Sequence, residues 1–255
     1  MSAPTPTLWQ FRHSHFNEKA RWALDWKGIR HVRRSLLPGF HIPRVLWMTG
    51  QKSLPVLRLD GRVIADSTRI IAALEALRPD PPLYPADPAA LRHALALEEF
   101  FDEELGPYIR RSFFHDLLPH TDYAAALTAT DFPPLVRHAY RALFPAIRIV
   151  MRMDMRIDEP GAALGRAKVV AALDRIETEL QPSGFLVGDR FSVADLTAAA
   201  LLSPLLTPSE YPYAFPGPIP EPVASFRASL AGRRAFAWAS DMYHRYRGRS
   251  VEIAT

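Results

Sequence analysis

Three short stretches hold residues whose types and spacing point to chemistry. Leu54-Pro55 stands at the mouth of an apolar run, where a proline, unable to donate to a ladder, must start a strand, lie on an edge or form a cis bond. Asp66-Ser67 opens a helical pattern. The free N–H groups of a helix N-terminus favour a carboxylate, and an aspartate there can pair with an ammonium. The same two residues are also ordinary helix caps. The third stretch is His13-Ser14-His15. A Ser-His nucleophile pair needs a histidine nitrogen within reach of the hydroxyl, yet sequence neighbours rarely point at each other, and no G-x-S-x-G elbow is present. A metal site from His13, His15 and His41 lacks a recognisable ligand spacing. The chain contains no cysteine, so any sulfur chemistry comes from a bound ligand.

The elements that must position these residues follow from periodicity. Residues 7–11 read as a first strand, and residues 12–29 as a helix whose apolar face is Phe16, Ala20, Ala23 and Leu24, with Gly28 as its stop. Residues 31–36 suit a second strand, joined to the first by a right-handed crossover. A short irregular helix over 40–49 comes next. Residues 56–59 and 62–65 flank Asp60-Gly61, the dipeptide that best supplies the positive φ angles of a two-residue hairpin turn. The helix after Asp66-Ser67 carries Ile70, Ile71, Leu74 and Leu77 at helical spacing. The order is βαβ, a connecting helix, then ββα.

Residues 79–88 hold five prolines in ten positions, which neither a helix nor a central strand tolerates. We read them as a linker between residues 1–78 and an all-helical part, 89–255. In that part the patterns predict helices over 89–118, 133–157, 161–180, 192–206 and 222–247, with a kink or break at Pro107 and at Pro145, and a long proline-rich surface loop over 204–222. Ser192-Val193-Ala194-Asp195 predicts a capping box, with Phe191 and Leu196 as its hydrophobic staple.

At 255 residues the chain suffices for two ordinary domains. Its net charge of +4 is spread along the sequence, with a local crowd at Arg245, Arg247 and Arg249. We read these as solvated surface, not as a nucleic-acid stripe. The start MSAPTPTLWQ lacks the basic start and apolar core of a signal peptide, and no apolar run reaches the length of a membrane span. The expectation is a cytoplasmic protein with neither nucleic acid nor membrane as partner.

The cis-proline candidate, the Asp-Ser helix start and the segment FLVGDRFSVADL together resemble the cytosolic glutathione transferases: a thioredoxin-like α/β domain followed by an all-α domain. The resemblance spans about residues 8–238 and is nearest to zeta- and omega-like bacterial members of the serine type. It implies glutathione as co-substrate, held by the backbone of Leu54 before Pro55 and by Asp66 and Ser67 at its γ-glutamyl end, with no metal. Lys52 resembles a position reaching the glycine carboxylate, and His41 and Arg44 are further candidates for that end. Ser14 falls where zeta-like members carry a catalytic serine and omega-like members a cysteine. Asn17 falls at the second cysteine of the glutaredoxin pair. His13 borders the same pocket, and Tyr108 and Arg111, on the first long helix, are candidates for lining the electrophile pocket. Homodimerisation and a role in detoxification are implied by the resemblance alone.

One serine suffices energetically. A thiol with a pKa of about 8.5 is a few per cent thiolate at pH 7, and lowering that pKa by two units takes roughly 2.7 kcal/mol. A hydrogen bond to a charged group contributes about 1.5–3 kcal/mol, and a helix N-terminus up to about 1. The thiolate would then attack an electrophilic small molecule. Two rival readings keep the fold: a binding protein without turnover, and a glutathione-dependent lyase, isomerase or dehalogenase.

Overall fold

The computed structural model describes residues 4–130 and 132–253. Its first part is a four-stranded sheet in the order β2-β1-β3-β4, built from β1 (Thr7–Gln10), β2 (Val32–Ser35), β3 (Val56–Leu59) and β4 (Arg62–Ala65). β1 and β2 are parallel, with Thr7 opposite Val32, and β1 and β3 are antiparallel, with Leu8 opposite Leu57. β3 and β4 form the expected hairpin, with Leu59 opposite Arg62. Its turn places Asp60 at φ +49° and Gly61 at φ +80°, the two left-handed positions that an Asp-Gly pair accommodates.

The sheet separates two layers because side chains alternate along each strand. Leu8, Leu57 and Leu59 join the main core with α1 (His15–Trp26) and α3 (Ser67–Leu77). Trp9, Val56 and Leu54 meet Val45 of α2 (Ile42–Thr49) on the other face. The Leu54-Pro55 bond is cis.

After the proline-rich stretch come α4 (Pro88–Glu104), α5 (Gly106–Leu117), α6 (Thr121–Thr128), α7 (Pro134–Asp154), α8 (Glu159–Glu179), α9 (Val193–Leu206), α10 (Glu221–Leu230) and α11 (Arg234–Tyr246). Every residue of α9 is buried, as expected of a helix apolar all round. It packs on α1, α4, α5 and α11 and so joins the helical part to the sheet. Both halves of its capping box are present. The Asp195 carboxylate accepts the Ser192 N–H at 2.9 Å and the Leu186 N–H at 2.8 Å.

Several expectations are corrected. The pattern read as one helix over 222–247 is two, α10 and α11, separated at residues 231–233, and α6 was not anticipated. The break expected at Pro107 in the pattern over 89–118 falls at Leu105, and Pro107 stands in the first turn of α5. There a Cβ on Gly106 would stand 2.3 Å from the Phe16 ring, so the absence of a side chain lets α1 approach. α7 continues through Pro145, which is exposed, so the carbonyl that loses its partner faces water. Finally, Arg247 is not solvated surface: it is 2% exposed and joins a buried charge network. Its guanidinium binds Glu18 and, at 2.9 Å, Asp25. Asp25 in turn accepts from Arg33 at 2.7 Å and from the Val251 N–H at 3.0 Å. The C-terminal tail thus lies along β2, where Ile253 N–H reaches the His31 carbonyl at 2.8 Å.

Candidate functional site

The loop between β1 and α1 carries residues 11–14, and two interactions fix its course. Arg21, fully buried, donates to Glu18 at 2.7 Å, to the Gln10 side chain at 2.7 Å and to the Tyr211 hydroxyl at 2.8 Å. Tyr211 then donates to the Arg12 carbonyl at 2.9 Å. The proline-rich loop after α9 therefore packs on the start of α1, with Tyr211 and Phe215 against the His13 ring, at 5.9 and 4.9 Å between ring centres.

Ser14 occupies the N-cap position of α1 with extended backbone, and its carbonyl accepts from the Glu18 N–H at 2.8 Å. Its hydroxyl caps no backbone group. It lines a cavity of about 510 Å³ between the sheet part and α5, α6 and α7. Leu54 lines the same cavity. Its N–H and C=O form no hydrogen bond among the described residues, which leaves both groups to a peptide ligand laid alongside.

His13 and His41 also border the cavity. Burial, reinforced by the Arg21 and Arg12 charges, holds His13 at a pKa of about 3, so it is neutral at pH 7; its ring nitrogens have no hydrogen-bond partner among the described residues. His15 lies at about 3 for the same first reason, with Arg110 adding to it, and its Nε2–H donates to the Gly106 carbonyl at 2.9 Å. Neither histidine has a hydrogen bond to Ser14.

Asp66 stands at φ +84°, and its Oδ1 accepts from the N–H groups of Thr68 and Arg69 at 3.0 and 3.1 Å. Capping therefore uses one carboxylate oxygen of an exposed residue and leaves the other outward. Ser67 beside it is 3% exposed. Neither residue is part of the cavity wall described above. Lys52 lies on the cavity rim, where it forms an ion pair with Asp154 at the end of α7. A ligand carboxylate would have to compete with Asp154 for it. Arg44 lies over the Trp9 ring, 5.7 Å from its centre. Asn17 is fully buried under α1, with no partner for its side-chain amide, and is not on the cavity wall.

On α5 the helix turns Arg110 and Phe114 toward the cavity, one turn apart, and not Tyr108 and Arg111. Arg111 lies over the Tyr108 ring at 5.4 Å, and its Cδ would be 2.7 Å from a Cβ on Gly161 of α8. That pair belongs to the α5–α8 contact. The break at Leu105 resets the helical phase, so the face that a continuous helix would present is not the face that α5 presents.

A sequence profile described as glutathione S-transferase, N-terminal domain, matches residues 8–82, and one described as glutathione S-transferase, C-terminal domain, matches residues 124–228. The glutathione S-transferase TCHQD of Arabidopsis thaliana is 26% identical over 215 residues, covering 78% of this chain and 76% of its own. A probable maleylacetoacetate isomerase of Caenorhabditis elegans is 25% identical over 206 residues, 79% of each chain. In fold, the chain is similar to a glutathione S-transferase of Methylobacterium radiotolerans solved with glutathione sulfonate. That likeness has a TM-score of 0.57 at 23% identity and covers 93% of this chain and 95% of the other.

Proposed function

Since the chain belongs to the glutathione S-transferase family, an enzyme family that works with glutathione, we propose that it is a transferase of the serine type in which Ser14 serves the thiolate. The observation that carries this reading is the Ser14 hydroxyl itself: it stands at the start of α1, faces the cavity, and performs no capping. A hydroxyl so placed donates to a thiolate, and the helix N-terminus adds its partial positive charge. Leu54, ahead of the cis Pro55, offers a free N–H and C=O to the cysteinyl backbone. The outward oxygen of Asp66 takes the γ-glutamyl ammonium, with Ser67 at the adjacent helix start for its carboxylate. His41 and Lys52 sit at the rim for the glycine end.

In this reading, residues 1–78 bind glutathione, 79–88 link, and 89–255 shape the pocket for the electrophile. The protein works in the cytoplasm as a homodimer. Sedimentation of a species of 28.7 kDa alone would contradict the dimer.

Ser14→Ala lowers kcat/KM for glutathione conjugation by about tenfold or more if the hydroxyl contributes over about 1.4 kcal/mol in the transition state. Stopped-flow or steady-state rates with a chloronitrobenzene check it. Unchanged turnover removes Ser14 from the mechanism and points to a backbone donor. Calorimetric titration with glutathione, weakened by Asp66→Ala, tests the first pocket separately. Binding of apolar ligands with no glutathione-dependent rate transfers the reading to a ligand carrier.

A further inference from the structure

Buried cations in this fold have carboxylate partners. Lys19 reaches Glu98 at 2.7 Å and Asp102 at 2.6 Å. Lys27 holds Glu75, Arg21 and Arg247 share Glu18, and Arg33 holds Asp25. This is what the cost of burying a charge demands. Arg110 departs from it. Its Nε is shielded from solvent and has no hydrogen-bond partner, and no acidic side chain among the described residues lies within ion-pair distance of it.

The groups around Arg110 do not make good that lack. Asp154, the acidic residue on the cavity rim, is taken by Lys52. His15 is neutral and turns its Nε2–H to the Gly106 carbonyl. His13 is neutral as well. Arg111, next in sequence, lies over Tyr108. Burial draws Arg110 below its ordinary value, and the charge of Asp154, beyond ion-pair distance, offsets only part of that loss.

The surroundings describe the missing partner. Arg110 is on the cavity wall near Ser14, and the rest of that wall is largely apolar, including Phe16, Phe114, Ile147, Met151 and Met155. A guanidinium amid such walls binds a planar anion by two parallel N–H bonds and does so in a low dielectric. The cavity of about 510 Å³ also takes the part of glutathione that meets Ser14 and Leu54, so the space left beside Arg110 is only a share of it. We propose that the second substrate is a mostly aromatic or alkyl electrophile bearing a carboxylate or similar planar anion, and that Arg110 binds that anion and sets the specificity. The proposal deepens the transferase reading and rests on it for the word substrate; the anion site itself stands on the geometry of Arg110.

The test separates the two. Full-length protein is titrated by calorimetry with 2-naphthoate and with 2-naphthamide, in the wild type, Arg110→Met and Arg110→Lys. The acid binds the wild type about tenfold or more tightly than the amide, as expected for a charge-assisted pair. The ratio collapses toward one in Arg110→Met and largely survives in Arg110→Lys. Equal affinities in the wild type, or an acid-to-amide ratio that Arg110→Met leaves unchanged, overturn the assignment.

A second arm compares 4-chloro-3-nitrobenzoate with its methyl ester. The glutathione thiolate forms a C–S bond at the carbon bearing chlorine, chloride leaves with the bonding pair, and the thiol proton passes to buffer. A preference for the acid in kcat/KM that Arg110→Met abolishes supports the proposal. Acid-selective binding with no rate on either compound keeps the anion site and refutes the transferase reading, whereas turnover without charge preference does the reverse.

Discussion

Glu18→Ala lowers the free energy of unfolding by about 3–5 kcal/mol, the cost of removing one partner from a buried ion pair. Glu18 is fully buried in α1 and divides its carboxylate between Arg21, at 2.7 Å, and Arg247. Removing it leaves Asp25 alone among three buried guanidinium groups, those of Arg21, Arg33 and Arg247, with only the more exposed Glu252 at 3.5 Å from Arg33 to assist. Arg21 retains Gln10 and Tyr211, but its charge is no longer compensated.

The exposed pair Asp241–Arg245 is the control, with the two side chains 48% and 51% exposed. Asp241→Ala costs no more than about 0.5 kcal/mol, because water screens such a pair. Urea unfolding of the two variants against wild type measures the contrast. A Glu18→Ala effect as small as that of Asp241→Ala refutes the idea that the network holds the tail to α1. The same substitution loosens the loop that carries Ser14, since Arg21 also reaches the Phe11 carbonyl at 3.2 Å and positions Tyr211 over Arg12.

That network also marks what the sequence could not reveal. Glu18 and Arg247 are 229 residues apart, and nothing in the local pattern around either identifies the other. Arginine is mostly exposed in folded chains, so Arg247, in a crowd with Arg245 and Arg249, reads as surface. Features written in adjacent residues were legible. Asp60-Gly61 gives the hairpin because only a narrow set of residues tolerates two positive φ angles, and Ser192 with Asp195 gives the start of α9 because the capping box is complete within four positions. Ser14 and Leu54 lie on the cavity wall, and on α5 the wall residue is Arg110 where the pattern points to Arg111. One residue on a helix is a rotation of about 100°, and although Pro107 signals the break, the phase in which α5 resumes beyond Leu105 is not written in the local pattern.

Stability falls as the solution is acidified from about pH 6.5, well before most carboxylates protonate. Burial lowers His15 to about 3 and His31 to about 4, and hydrogen bonding fixes the neutral form of the latter: His31 Nδ1–H donates to the Ile29 carbonyl at 2.8 Å while Nε2 accepts from Arg33 at 3.0 Å. The unfolded chain protonates both near pH 6.5, so between that value and about pH 4 unfolding takes up two protons and acid favours it. His13, at about 3 but partly exposed, adds a smaller share of the same sign. Asp195 opposes them. Burial raises it to about 6, so from about pH 6 down to its unfolded value near 3.8 the folded chain holds the extra proton, and acid favours folding. The balance is between one and two protons taken up on unfolding, or about 1.4–2.7 kcal/mol lost per pH unit from pH 6 toward pH 4. Below that range Asp25, which burial would raise but Arg33 and Arg247 hold down, loses its contribution in turn. Urea unfolding at pH 7.5, 6.0 and 5.0 gives the slope, and His31→Gln reduces it by up to about 1.4 kcal/mol per unit. A flat profile between pH 6.5 and 5 would mean that these histidines titrate normally in the folded chain, which their buried nitrogens and the Arg33 hydrogen bond do not allow.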